Sequence, residues 1–349
     1  MTTDSKFLYL AQRLGAFRDL LADKKLDGYF LSHLSDLYYF TDYKSEGYFS
    51  LIGMHEAWLL LPNLLFEQAK ATTRGFQCVE GRLGPSLDKI LGKNKIKRVG
   101  FDPNQLPYSL GAALVKRGFV PVPGLVAQLR VIKDAFEMGR LRAANHLAAE
   151  GAKFVKARLK PGRTEKQVSA ELAHFFNIKG DGIAFDLIIA AGPHSAFPHH
   201  INSDYRMKTG EPVICDIGAT WEGYRSDLTR TFTLGKIRGS FSRVYKIVEM
   251  AQKEGILRIK PGVTAESVDS ASRKIIKKHG YGPTFVHSTG HGVGIDIHED
   301  PRIGPGVKDR LKAGMVITVE PGIYLPGQFG VRIEDTLLVT PTGADLLTK

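Results

Sequence analysis

Two aspartates eleven positions apart and two glutamates fourteen apart mark the chemistry this chain can do. Asp216 lies in the apolar run Val213-Ile214-Cys215-Asp216-Ile217-Gly218-Ala219, and Asp227 ends Gly223-Tyr224-Arg225-Ser226. The pattern recurs downstream: Gly210 stands six residues before Asp216, Gly314 six before Glu320, and each hexad is rich in Val and Ile, as strands are. Glu334 follows Glu320, and an Arg sits two residues upstream of each second carboxylate, Arg225 and Arg332. Two strand–turn–strand units facing one another would gather four carboxylates. Buried together, they repel and carry a large desolvation cost unless cations neutralise them. A metal site resolves that conflict. Acidic residues at strand ends that merely face water are the plainer alternative, and the duplicated spacing argues against it.

An imidazole is available in HSTGHGVGIDIHEDP, residues 287 to 301. His291 is flanked by Gly290, Gly292 and Gly294, which permit close backbone approach, and His298 follows seven residues later. The glycine spacing is not G-x-G-x-x-G, so a dinucleotide loop is not indicated. A further pair, His199 and His200, stands in FPHHIN. Oxygen-rich ligation with one imidazole suits Mn, Co or Fe(II) at least as well as Zn, which prefers more nitrogen and sulfur. Two divalent ions about 3.5–4 Å apart can share a water, lower its pKa towards ~7 and stabilise a tetrahedral oxyanion.

The elements that must position these groups fall into two regions. Residues 1–125 alternate helical and strand-like patterns: a helix before residue 25, strands at 28–32, 57–61, 76–79 and 98–101, helices near 85–92 and 107–117. This predicts an α/β domain ending at Pro121-Val-Pro-Gly124. Residues 126–349 form the second domain, α+β with an internal repeat. A long helix is expected over about 134 to 158, with Leu141, Ala144, Leu147, Gly151 and Phe154 on one face. Thr164 and Gln167 make a capping box for the next. Leu159-Lys-Pro-Gly-Arg-Thr164 recurs as Ile259-Lys-Pro-Gly-Val-Thr264, an offset of 100.

Composition bounds the partners. A net charge of +12 raises the question of nucleic acid, but Lys and Arg are scattered over helical stretches such as 153–163 and 274–278. They read as solvated faces, so no nucleic-acid partner is expected. The apolar patch 57–66 is too short to span a bilayer and is broken by Pro62 and Asn63, so no membrane is expected either. The N-terminus has no basic start followed by an apolar core, which points to the cytoplasm. Cys78 and Cys215 are too few for a disulfide framework and read as reduced thiols.

The segments AFDLIIAAGPHSAFPHH, CDIGATWEGYRSDLTRTFTLG, HSTGHGVGIDIHEDP and AGMVITVEPGIYLPGQFGVRIEDTLLVT, over about 184 to 340, resemble the pita-bread metallopeptidases. That family includes methionine aminopeptidase, aminopeptidase P and prolidase (Xaa-Pro dipeptidase), with creatinase as a metal-free relative. The creatinase-like N-terminal α/β domain favours the prolidase and aminopeptidase P branch. The resemblance implies a pseudo-twofold pita-bread domain and two divalent ions per subunit. Asp227 and Glu334 would bridge the ions, Asp216 would complete one, and His291 and Glu320 the other. Glu320 would also shuttle a proton. His298 would contact the substrate carbonyl, and His199, or His200, would hold substrate near the scissile bond. Arg332 would brace the carboxylates from behind, and Tyr324 would line the site or pack beside it. His194 departs from the family by standing where many relatives have Asn, and the loop SDLYYFTDYKSEGYF matches only loosely.

Hydrolysis of the bond between an N-terminal residue and proline is the implied reaction. Arg302, in HEDPRI, resembles the arginine with which short prolidases meet a dipeptide carboxylate, a pairing that suits its fork. This favours a dipeptidase acting on proline-containing dipeptides, with aminopeptidase P acting on longer peptides as the alternative. A non-catalytic binding protein on the same fold is opposed by five intact ligand positions. A homodimer is implied by the resemblance alone.

Overall fold

The computed structural model of the chain describes residues 3–236 and 239–349. It contains two compact units, one ending at Arg130 and the other starting at Val131. The short helix Ala127–Arg130 falls in the first unit, where the Arg130 guanidinium donates to Asp36 at 2.7 Å.

The first unit is built on a six-stranded mixed sheet in the order Gln77–Glu80, Ala57–Leu61, Phe49–Gly53, Gly28–Leu31, Val99–Phe101, Val120–Pro121. Phe30, Leu51, Trp58, Leu60 and Phe101 form its core. The segment read from sequence as the loop SDLYYFTDYKSEGYF is not all loop: it holds most of the helix Leu34–Thr41. Leu37, Phe40 and Thr41, spaced as one helical face, are buried, and Asp42 ends the helix at a φ of 53°. The strand Phe49–Gly53 and the helix Asn63–Thr72 also went unread in the sequence.

The second unit carries the repeat. Helix Ala135–Arg158 opens on a capping box of Asp134 and Glu137, and helix Glu165–Lys179 on the predicted one of Thr164 and Gln167. The other half supplies Phe241–Arg258 and Ala265–Lys278, the latter capped by Thr264. The two Pro-Gly turns are built alike. Gly162 donates to Met207 O and Gly262 to Leu311 O, both at 2.8 Å. The guanidinium of Arg206 returns to Gly162 O, and that of Arg310 to Gly262 O. Both glycines hold φ near +90°, which a side chain would strain.

Each half then lays an antiparallel strand pair on its helices. Pro212–Ile217 pairs with Leu228–Thr233, and Val316–Val319 with Asp335–Val339. Asp216 and Glu320 lie at the ends of the first strands of these pairs. Asp227 and Glu334 each immediately precede the second. The fold is thus a creatinase-like α/β domain followed by an α+β pita-bread domain with pseudo-twofold repetition.

Candidate metal centre

The strand Gly290–Gly292 brings His291 to the carboxylates. A side chain at Gly290 would meet Thr318 O at 2.1 Å, and one at Gly292 would meet Asp300 O at 2.3 Å, so only glycine lets this strand lie so close to its neighbours. His291 Nδ1 lies 2.9 Å from the Gly292 carbonyl, which can only accept. The proton therefore sits on Nδ1, and Nε2, left free to ligate, lies 3.5 Å from Asp227 Oδ2 and 3.4 Å from Glu320 Oε1. Asp227, His291 and Glu334 each offer a ligand atom within 4.8 Å of the others. Thr318 ties the group together, accepting from His291 N and donating to Glu320.

The electrostatics show what is missing. Burial, then the neighbouring Asp216 and Glu320 charges, push Asp227 well above the usual carboxylate range. Burial and the Asp227 charge do the same to Glu334, and burial raises Glu320 to about 8. Burial lowers His291 to about 4, so its imidazole is neutral and ready to ligate. Two buried oxygens, Asp216 Oδ1 and Glu334 Oε1, have no hydrogen-bond partner among the described residues. Orphaned acceptors, a neutral imidazole and mutually repelling carboxylates are what divalent cations satisfy. The residues present fit the metal that the motifs imply.

One cation in the protein already braces the cluster. Arg332 is 3 % exposed, and its guanidinium donates to Asp216, to Tyr324 Oη at 2.8 Å, to Pro198 O at 3.2 Å and to Thr229 Oγ1 at 3.2 Å. Thr229 Oγ1 in turn donates to Glu334 Oε2 at 2.7 Å. Because the Tyr324 oxygen accepts from Arg332, its proton goes on to His287 Nε2 at 2.9 Å, and His287 Nδ1 donates to Ser288 O. Burial holds His287 neutral, at about 4, which keeps Nε2 an acceptor. His287 and Thr229 were not singled out in the sequence. His287 was visible inside HSTGHG, but its partner lies 37 residues away.

The remaining expected residues are placed unequally. His298 precedes the strand Glu299–Ile303, with its ring 4.4 Å from that of His291. His199 is exposed and lies close enough to His287 and His298 to add to the lowering that burial imposes on both. His200, the alternative to it, is tied to Glu165 at 2.7 Å instead. Tyr324 is 4 % exposed and spends its hydroxyl on Arg332 and His287, contacts of the packing role that the sequence left open. His298, and Asp300 and Arg302 on the strand that follows it, are each exposed. The Arg302 guanidinium makes no ion pair among the described residues, only a 3.5 Å contact to Pro305 O.

A pH dependence follows. Glu320, about 4.5 when unfolded and about 8 in the metal-free fold, binds its proton more tightly folded. The unfolded state therefore releases protons first as pH rises, and stability falls between about pH 5 and pH 8. Metal binding holds the carboxylates ionised and removes this slope. Chelator-stripped protein should lose melting temperature steadily over that window, whereas metal-loaded protein should not. Parallel curves would contradict the assignment.

Residues 139–341 match Metallopeptidase family M24, and residues 13–132 match the Creatinase/Prolidase N-terminal domain. The chain is 37% identical to the Xaa-Pro dipeptidase of Pyrococcus furiosus, over 97% of this chain and 98% of that protein. It is similar in structure to the Xaa-Pro dipeptidase from Bacillus anthracis, with a TM-score of 0.94 and 34% identity over 97% and 98% of the two chains. It is also similar to the X-Pro aminopeptidase from Thermotoga maritima, with a TM-score of 0.87 and 31% identity over 93% and 96%. Among the described residues no helix is long and apolar enough to cross a membrane. A repeated strand pair that sets Asp227 and Glu334 beside the neutral imidazole of His291 is matched by sequence along nearly the whole chain: this protein belongs to metallopeptidase family M24, and its candidate ligand group implies divalent metal.

Proposed function

We propose that this chain hydrolyses Xaa-Pro dipeptides with two divalent ions held by Asp216, Asp227, His291, Glu320 and Glu334. The observation that carries the dipeptide reading is Arg302: an exposed guanidinium without an ion pair among the described residues, on the strand that follows His298. A free carboxylate one residue beyond the scissile bond is what such a cation would meet, in bidentate fashion. The names of the full-length relatives support the same substrate.

Asp227 and Glu334, with Asp216, His291 and Glu320 beside them, would hold the ions. When bound, the ions acidify a water and polarise the scissile carbonyl. Glu320 takes the proton of the attacking water and passes it to the prolyl nitrogen as the C–N bond breaks. His298 donates to the carbonyl oxygen as negative charge develops there. His199 holds the substrate at the scissile bond. The oxygen-rich donor set suits Mn, Co or Fe(II) at least as well as Zn, and Mn or Co is taken as the native ion. The same reading takes the protein as a homodimer, on the family resemblance alone, and as cytoplasmic.

Arg302→Ala tests the substrate. Loss of charged hydrogen bonds, worth about 1.5–3 kcal/mol, should raise KM for an Xaa-Pro dipeptide about 10- to 100-fold. KM for an Xaa-Pro-Xaa tripeptide should change less than about 2-fold, because its carboxylate lies elsewhere. Equal effects on both would remove Arg302 as the carboxylate reader and favour the aminopeptidase reading.

A further inference from the structure

Glu165 is fully buried at the first turn of its helix, outside the metal centre. Among the described residues no Lys or Arg pairs with it. Its Oε1 accepts from Ala191 N at 2.9 Å and His194 Nδ1 at 3.0 Å. Its Oε2 accepts from Ser203 N at 2.9 Å, Ser203 Oγ at 2.7 Å and His200 Nε2 at 2.7 Å. The His194 and His200 rings lie 4.5 Å apart. Glu, His and His are metal-ligand types, but here both carboxylate oxygens are already fully used by protein donors. The cluster is therefore a clamp rather than a second ion site.

What it clamps is the segment 192–203, which carries His199. That segment is fixed elsewhere too. Ser195 Oγ accepts from Gly330 N at 2.8 Å, Pro198 O accepts from Arg332, and Asn202 bonds Ile189 N and Leu187 O. His199 makes no hydrogen bond of its own among the described residues. Its position is set by its neighbours, and the adjacent His200 is anchored to Glu165.

We infer that Glu165 is a positioning residue for catalysis: through His194, His200 and Ser203 it sets the segment that presents His199 to the peptide. This deepens the proposed function and rests on its reading of His199 as a substrate contact. The donor geometry defines which replacements work. Asn at 194 keeps an N–H near the place of Nδ1, and Gln at 200 keeps one near that of Nε2. Ala at 200 keeps none.

The test is a double-mutant cycle on metal-loaded enzyme with an Xaa-Pro dipeptide, following kcat/KM and bound metal. Glu165→Gln should lower kcat/KM about 10- to 100-fold, the scale of a misplacement near 1 Å, with metal content unchanged. Combined with His199→Ala it should add less than about 2-fold to the His199→Ala loss, because both act through one residue. His194→Asn and His200→Gln should stay near wild type, and His200→Ala should reproduce Glu165→Gln. Should Glu165→Gln fail to fold, His200→Ala and His200→Gln carry the same cycle. Wild-type activity in His199→Ala would overturn the reading of His199. An impaired His199→Ala on which the Glu165 or His200 loss multiplies in full, or a Glu165→Gln enzyme as active as wild type, would overturn the clamp alone.

Discussion

Glu334→Gln should lower kcat/KM by at least about 10³-fold, the scale of losing several kcal/mol of metal-derived stabilisation. Glu334 is 1 % exposed, and its Oε1 is one of the two orphaned oxygens of the centre. The amide keeps an oxygen for Thr229 but offers a cation no charge. The same substitution should leave the metal-free protein intact. Burial and Asp227 make an ionised Glu334 unfavourable in the empty fold, so its neutral isostere should melt at or above the wild-type temperature at pH 8. Saturating metal should then separate the two proteins. Ion at 100 times its Kd stabilises the wild type by about 2.7 kcal/mol, whereas the variant should gain far less. Calorimetry with and without Mn(II) reads both effects. A variant that melts well below wild type without metal would show that Glu334 is a structural acid and not a ligand.

Arg332→Met has the second large effect. The side chain fills similar space but removes every donor from Asp216, Tyr324, Pro198 O and Thr229. Breaking a buried ion pair on one side costs about 3–5 kcal/mol, because the partner charge is left uncompensated. Metal affinity should fall about 10- to 100-fold as well, as it does when groups orienting ligands are lost. Arg332→Lys should not restore it. An ammonium has three donors at one point and cannot reproduce a planar fork that reaches four acceptors. Chemical denaturation and metal titration measure the two losses separately. Wild-type values in both would mean that Arg332 packs without bracing.

The candidate ligands were legible because each sits in a short, distinctive run, and because the halves repeat. Asp227 and Glu334 occupy equivalent strand starts, and the Pro-Gly turns at 162 and 262 share the same returning arginine. What supports the ligands was less legible. Arg332 and Tyr324 were named, yet the chain from Arg332 through Tyr324 to His287 joins residues up to 45 positions apart. No local spacing encodes that chain. Glu165 reads in sequence as an ordinary first-turn acid beside a capping box, and only the fold shows it buried with five donors around it. In the N-terminal unit the aromatic run Leu37-Tyr38-Tyr39-Phe40 obscured a helix. Aromatic residues favour strands, and here the burial of Leu37 and Phe40 overrides that preference.

The central claim is metal-dependent cleavage of Xaa-Pro dipeptides. Its most direct measurement is hydrolysis of an Xaa-Pro dipeptide beside an Xaa-Pro-Xaa tripeptide, by chelator-stripped enzyme titrated with Mn(II) or Co(II). The account predicts no activity without metal, recovery that saturates near two ions per chain, and cleavage of the dipeptide in preference to the tripeptide. Preference for the tripeptide would make the enzyme an aminopeptidase, and cleavage of neither under any metal would contradict the account outright.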